Sequence, residues 1–160
     1  MSTPLPYRPN VCMLLFNRKL KLWLGRRYES DIWQLPQGGV KKNVSLEENA
    51  LRELEEELGV TRSDLGLPRR LKATHRYEWL NPSDHFRGKY GGQEQTFWVV
   101  PYLGKDSSIH PHDVEHPEFS EWRWIKAEEL EGAVEEIRKI GYRGPLAEFI
   151  ELRPGLLLDL

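Results

Sequence analysis

Residues Leu46 to Leu58 set the first element of any fold that this chain can adopt. Ser45 followed by Glu48 has the form of a capping box, in which the serine hydroxyl takes a free helix N–H and the glutamate reaches back to the cap. Leu46, Ala50, Leu51, Leu54 and Leu58 then recur at helical spacing, and Gly59 suits the left-handed conformation just past a helix end. One amphipathic helix is the result, and the rest of the chain has to frame it.

At about 100° per residue, the acidic side chains of this helix separate into two sets. Glu48 and Glu55 fall opposite the apolar stripe as solvated charge, with Glu48 one turn before Arg52 and placed to pair with it. Glu53, Glu56 and Glu57 share one face at i, i+3 and i+4, and Glu57 sits at the edge of the stripe. They lie toward the C-terminal end, where the helix dipole disfavours negative charge. Three like charges so placed call for a compensating cation, and hard carboxylate oxygens select Mg²⁺ or Mn²⁺ over softer metals. An acidic solvent face is the other reading of the run.

Composition bounds the remainder. A chain of 160 residues suits a single domain over 1–160, with its core between about 7 and 152, and is long enough to bury that core. A net charge of −2 with 30% charged residues excludes a protein that coats nucleic acid, because there is no basic excess to release counterions. Any nucleic-acid contact has to be local. The single cysteine, Cys12, lies in an apolar run, reads as a small buried hydrophobe and fits a reducing compartment. The opening MSTPLPYRPN lacks a signal-peptide core, and no stretch approaches the roughly 18 apolar residues of a membrane span. The expectation is a cytoplasmic protein without a membrane partner, monomeric, with a dimer as the alternative.

Val11 to Phe16 is a continuous apolar run that fits a strand buried on both faces. Asn17 to Lys19 supplies a turn, and Leu20 to Leu24 a returning strand that ends at Gly25. Trp33 to Leu35 reads as a short strand closed by Pro36. Gly38 and Gly39 read as a loop that lets backbone approach a ligand. Strands are expected at Leu71 to Leu80, at Gln95 to Leu103 with Pro101 marking an edge or bulge, and at Glu121 to Ile125. Asn81 to Gly92 and Ser107 to Ser120 read as loops, and Ala127 to Leu130 as a short helix. Val134 to Ile140 and Pro145 to Leu152 read as separate helical pieces punctuated by Gly141 and Gly144. His110 and His112, with Asp113 and His116 nearby, have the ingredients of a zinc site, but Pro111 and Pro117 stiffen the loop and no cysteine joins it, so a surface loop is expected. The whole is of α+β class with a mixed sheet.

Gly38, followed after a gap by Arg52-Glu53-Leu54-Glu55-Glu56-Glu57-Leu58-Gly59-Val60, resembles the Nudix box, G-x5-E-x7-R-E-U-x-E-E-x-G-U with U aliphatic. Every fixed position matches except the first glutamate, where this chain has Val44. Tyr7-Arg8-Pro9-Asn10, Gly25-Arg26-Arg27, Trp33 to Gly39, Gly92 to Gln95, Pro117-Glu118-Phe119 and Trp122-Arg123-Trp124 extend the likeness from Tyr7 to Phe149. They look like the bacterial RNA 5′-pyrophosphohydrolase branch, close kin to the asymmetrical dinucleoside polyphosphate hydrolases.

The resemblance implies an α/β/α sandwich with a central mixed sheet and Mg²⁺-dependent hydrolysis of a phosphoanhydride, with Mn²⁺ as a substitute. The implied substrate is the 5′-triphosphate end of RNA, with a dinucleoside polyphosphate as the alternative. It implies metal ligation by Gly38, Glu53, Glu56, Glu57 and Glu118, and leaves Glu53, Glu57 and Glu118 open as the catalytic base. Substrate contacts are implied for Arg8, Arg27, Gln37, Gln95, Ile137 and Arg138. Ile137 stands where the branch has an aromatic, which weakens the stacking surface. Tyr77 and Trp79 could stack on a base, although aromatics in a strand are more often core. The non-enzyme alternative is a nucleotide-binding or RNA-end-binding module whose box has decayed at Val44; retention of all three helix carboxylates favours the enzyme. In the family the missing glutamate supports the loop and the box arginine, so Glu48 is expected to take over part of that work for Arg52.

Overall fold

Alternation along one strand decides the layering. In the computed structural model, which describes residues 4–158 and 160, the apolar run lies in β1 (Tyr7–Phe16). Successive side chains of a strand point to opposite faces. Val11, Met13 and Leu15 therefore enter one cluster, and Cys12, Leu14 and Phe16 another. With both faces apolar, β1 needs a covering layer on each side.

Among the described residues the sheet has seven strands: β1, β2 (Leu22–Arg27), β3 (Trp33–Gln34), β4 (Gln37–Gly39), β5 (Arg69–Glu78), β6 (Gly92–Pro101) and β7 (Phe119–Ile125). Their order is β3-β2-β1-β6-β5, with β4 paired to β1 and β7 to β2. β1 and β6 run parallel, from Tyr7 opposite Gly92 to Phe16 opposite Pro101. The other pairings are antiparallel. α1 (Leu46–Leu58) packs Ala50, Leu54 and Leu58 against Met13, Trp23 and Trp98 on one face. α2 (Ala127–Ala133) and α3 (Glu136–Leu156) cover the other, where Leu130, Tyr142 and Phe149 meet Cys12, Phe16 and Phe97. Phe149 is fully buried with its ring centroid 5.9 Å from that of Phe16, a position at which truncation to alanine costs about 3–5 kcal/mol. The arrangement is the expected α/β/α sandwich around a mixed sheet. Among the described residues no helix is long and apolar enough to cross a membrane.

The box helix begins and ends where its sequence places it. Ser45 Oγ accepts from the Glu48 N–H at 3.1 Å, and Gly59 closes the helix at φ 67°. The second half of the capping box is absent. Glu48 turns outward, its two oxygens taking Arg62 Nη1 at 3.0 Å and Nη2 at 2.9 Å, so it neither reaches back to the cap nor pairs with Arg52. Gly38 and Gly39 are not loop but strand β4, opposite Val11 and Asn10. The strand expected to end at Gly25 continues to Arg27 with a bulge at its end. Pro101 ends β6, which is an interior strand rather than an edge.

The largest departure is α3, one helix of 21 residues running through Gly141, Gly144 and Pro145. A Cβ at Gly141 would meet the His75 ring at 2.7 Å, and one at Gly144 would meet Ala73 Cβ at 3.2 Å. Those glycines bring the helix close to β5; they do not break it.

Candidate active site

β4 carries the start of the box onto β1, and lack of side chains makes room there. A Cβ on Gly38 would overlap the Glu53 carboxylate, and one on Gly39 would overlap the Arg8 guanidinium. The acidic face of α1 and a basic side chain of β1 can therefore close on the same short backbone segment. They open onto a cavity of about 880 Å³, lined among others by Arg8, Arg27, Gly38, Glu53, Glu56, Glu57 and Glu118. Arg27 reaches it from the end of β2, and Glu118 from the residue before β7.

The carboxylates are not equivalent. Glu57 is 5% exposed and its Oε2 is buried without a hydrogen-bond partner. Burial raises its proton affinity well above the ordinary carboxylate value, and the charges of Glu118 and Glu53 push in the same direction; the Gln37 N–H and the Arg27 charge oppose them. Glu53 is also pushed up, chiefly by burial and then by Glu56 and Glu118, even though Arg52 Nη1 lies 2.9 Å from its Oε1. The same Nη1 lies 3.0 Å from Glu56 Oε2, and the Glu56 side chain is half exposed. Desolvation thus outweighs a direct ion pair at Glu53.

Partly desolvated carboxylates, one oxygen of which has no protein partner, fit a hard divalent cation by donor chemistry. Among the described residues no three His, Cys, Asp or Glu side chains already converge as a ready-made set. Arg52 holds oxygens of Glu53 and Glu56 in their place.

Sequence comparison bears on these same residues. The NUDIX domain matches residues 6–145. The chain belongs to the Nudix family. It is a Nudix hydrolase by that membership and by its curated relatives. The RNA pyrophosphohydrolase of Wolbachia pipientis subsp. Culex pipiens (strain wPip) is 34% identical to it, over 96% of this chain and 95% of that protein. The RNA pyrophosphohydrolase of Sphingopyxis alaskensis is 35% identical over 91% of this chain and 94% of its own length. The MutT protein of Methanosarcina mazei Go1 shares the fold, with a TM-score of 0.64 at 23% identity, covering 95% of this chain and 99% of that one.

In this Nudix hydrolase the candidate site residues fall into three places. Gly38, Glu53, Glu56, Glu57, Glu118, Arg8, Arg27 and Gln37 line the cavity. Gln95 is buried behind them, where its Nε2 donates to Gln37 Oε1 at 2.7 Å and to Asn10 Oδ1 at 3.0 Å. Ile137 and Arg138, at the start of α3, do not line the cavity. Ile137 is 69% exposed, while Arg138 pairs with Glu135 at 3.0 Å and places its charge near Cys12 and Tyr142. Cys12 is buried and its thiol is pushed up by burial, so it is inert packing. Tyr77 and Trp79 are half-buried on β5 and just beyond it; Tyr77 accepts from Gln93 Nε2 at 2.6 Å, and Trp79 stacks on Phe86 at 5.3 Å.

Further residues in and around the cavity were not singled out by the sequence as contacts to the substrate. Gln93 lies opposite Arg8 in the β1/β6 register and accepts from its Nη1 at 3.2 Å. Phe86, in the polar loop after β5, lies 4.6 Å from the Arg8 guanidinium in a cation–π contact. Lys41 and the segment Asp113 to His116 line the opening as well. His112 meets Tyr28 Oη at 2.6 Å, and the histidine-rich segment forms a wall of the cavity. The mixed spelling GQEQ contains Gln93, but only the strand register says which of its polar side chains faces Arg8.

Proposed function

We propose that this Nudix hydrolase removes pyrophosphate from the 5′-triphosphate end of RNA, leaving a 5′-monophosphate. The observation that carries the reading is the unpartnered, buried Oε2 of Glu57 in a cavity that also holds two arginines. Anionic oxygens on one wall and guanidinium groups on another suit a ligand that is itself polyanionic and brings cations with it. The names of the curated relatives support RNA as the substrate.

Glu53, Glu56, Glu57, Glu118 and the Gly38 carbonyl would hold Mg²⁺, or Mn²⁺ in its place. When bound, the ion supplies positive charge to the phosphate oxygens and acidifies water. Arg8 and Arg27 grip the phosphates, and their planar forks suit bidentate contact. Gln93 and Phe86 hold Arg8 in its orientation. Glu57 Oε2, buried and without a protein partner, is the proton acceptor; burial raises its proton affinity first, and the charges of Glu118 and Glu53 raise it further. The half-buried rings of Trp79, Phe86 and Tyr90 offer the first base a stacking surface in place of the one that Ile137 cannot form. One unit over 1–160 carries the whole reaction.

The test is to incubate the protein and Mg²⁺ with 5′-triphosphate RNA and, separately, with diadenosine tetraphosphate, and to follow released pyrophosphate and nucleotides. Pyrophosphate from RNA at the higher kcat/KM is expected. Preference for the dinucleotide would transfer the assignment to dinucleoside polyphosphate hydrolysis, and no product from either would make the chain a binding module.

A further inference from the structure

The box glutamate is absent at Val44, and Glu48 does not stand in for it, because its carboxylate belongs to Arg62. A different side chain occupies the junction. Asn49 is fully buried one turn into α1, and its amide uses every hydrogen-bonding position it has. Oδ1 accepts from Arg52 Nη2 at 2.7 Å and from the Lys41 N–H at 2.9 Å. Nδ2 donates to the Ser45 carbonyl at 2.8 Å and the Val44 carbonyl at 3.1 Å. The amide orientation is unambiguous, since a flip would set two donors against Arg52 and Lys41 and an oxygen against two carbonyls.

We infer that Asn49 is the positioning residue that replaces the box glutamate: it ties the β4-to-α1 loop to the helix and orients Arg52. The replacement is neutral, which alters where the arginine charge goes. Arg52 Nε is buried without a partner, and Nη1 is spent on Glu53 and Glu56. A carboxylate at position 44 would balance Arg52 from the loop side. With an amide there instead, Arg52 leans on two carboxylates of the metal face and competes with a cation for them. The chain thus trades metal affinity for a loop held by a neutral clasp. Aspartate cannot serve at 49, because it would aim an anionic oxygen at the Ser45 and Val44 carbonyls and lose both donors.

The test uses Asn49→Ala, Asn49→Asp, Val44→Glu and the double variant Val44→Glu/Asn49→Ala, each read by thermal unfolding in EDTA and by calorimetric Mg²⁺ titration. The titration rests on the metal reading above; the EDTA measurement does not, so failure of one is separable from failure of the other. Asn49→Ala should lower Tm by about 4 °C or more and weaken Mg²⁺ about tenfold. Asn49→Asp should lower Tm despite its charge. Val44→Glu alone should tighten Mg²⁺ at least threefold or so, and the double variant should recover most of the Tm lost by Asn49→Ala. If Asn49→Ala does not fold, recovery of folding by the double variant supports the inference. A Tm within about 1 °C of wild type for Asn49→Ala, a stable Asn49→Asp, or strictly additive single effects in the double variant would overturn it. No change in Mg²⁺ affinity for any variant would overturn the competition between Arg52 and the cation.

Discussion

Two faces of one helix carry the same side chain in opposite states. On the outer face of α1, Glu48 and Glu55 share Arg62, which reaches Glu48 through both terminal nitrogens and Glu55 Oε1 from Nε at 2.7 Å. The hydrogen bond to Arg62 holds the Glu48 carboxyl below its ordinary value. On the inner face, burial and like charge push Glu53 and Glu57 up. Identity and secondary structure are constant between the two faces, so environment alone makes the difference. Water and a paired arginine make a carboxylate inert; a dry wall shared with Glu118 makes it hungry for a proton or a cation.

The sharpest way to break this contrast is Glu57→Gln. The amide keeps the shape and removes the charge, so kcat should fall by about 10³-fold or more while the metal-free protein gains roughly 2–4 °C in Tm. Circular dichroism and single-turnover assays on the same preparation check both. Near-normal turnover would place the chemistry elsewhere in the cavity. Gly38→Ala should come next, because its methyl group meets the Glu53 carboxylate; a loss of about 10²-fold in kcat with a native circular dichroism spectrum is expected.

A pH titration sharpens the same point without any substrate. Glu57 and Glu53 bind protons more tightly folded than unfolded, so the stability they add is present below the ordinary value of 4.5 and is lost as pH rises through their raised values. Glu48 works in the opposite sense: its contribution is present above 4.5 and lost as pH falls through its lowered value. The informative quantity is therefore a difference. In EDTA, the Tm advantage of Glu57→Gln over wild type should be near zero below pH 4.5 and grow as pH rises toward neutrality. Saturating Mg²⁺ should abolish or reverse it. An advantage independent of pH would mean that Glu57 does not titrate as its burial requires.

How much of this was legible before the fold was known depends on the range of the instruction. Ser45, the leucine stripe and Gly59 act within a few residues, and α1 starts and stops accordingly. Glu53, Glu56 and Glu57 were legible for the same reason, since helical spacing puts them on one face, whereas Glu118 was indicated by the family likeness alone. Asn49 was not, because three of its four partners, Lys41, Val44 and Ser45, precede the helix along a path that no local rule specifies. Gln93 was hidden by register, and Phe86 by a glycine-rich polar loop that looked bland. Gly141 and Gly144 misled, because a helix breaker and a close-approach residue are spelled alike; β5, more than sixty residues away in sequence, decides between them. Family likeness points Ile137 and Arg138 to the substrate, while α3 leaves Ile137 69% exposed outside the cavity lining and sets the Arg138 charge near Cys12 and Tyr142.

The outer face gives the smallest expected effect and the control for the rest. Arg62→Ala removes the one partner that the two solvent-side glutamates share; these are ordinary exposed ion pairs and add little to stability. Tm should move by less than about 2 °C, less still at high salt, where such pairs are screened. Turnover and Mg²⁺ affinity should stay near wild-type values, because Glu48 and Glu55 hydrogen-bond to Arg62 rather than to Arg52, and Asn49 already holds Arg52. A marked loss of Mg²⁺ affinity in Arg62→Ala would show that a freed Glu48 competes for Arg52 after all, and that the two faces of α1 communicate through the one arginine between them.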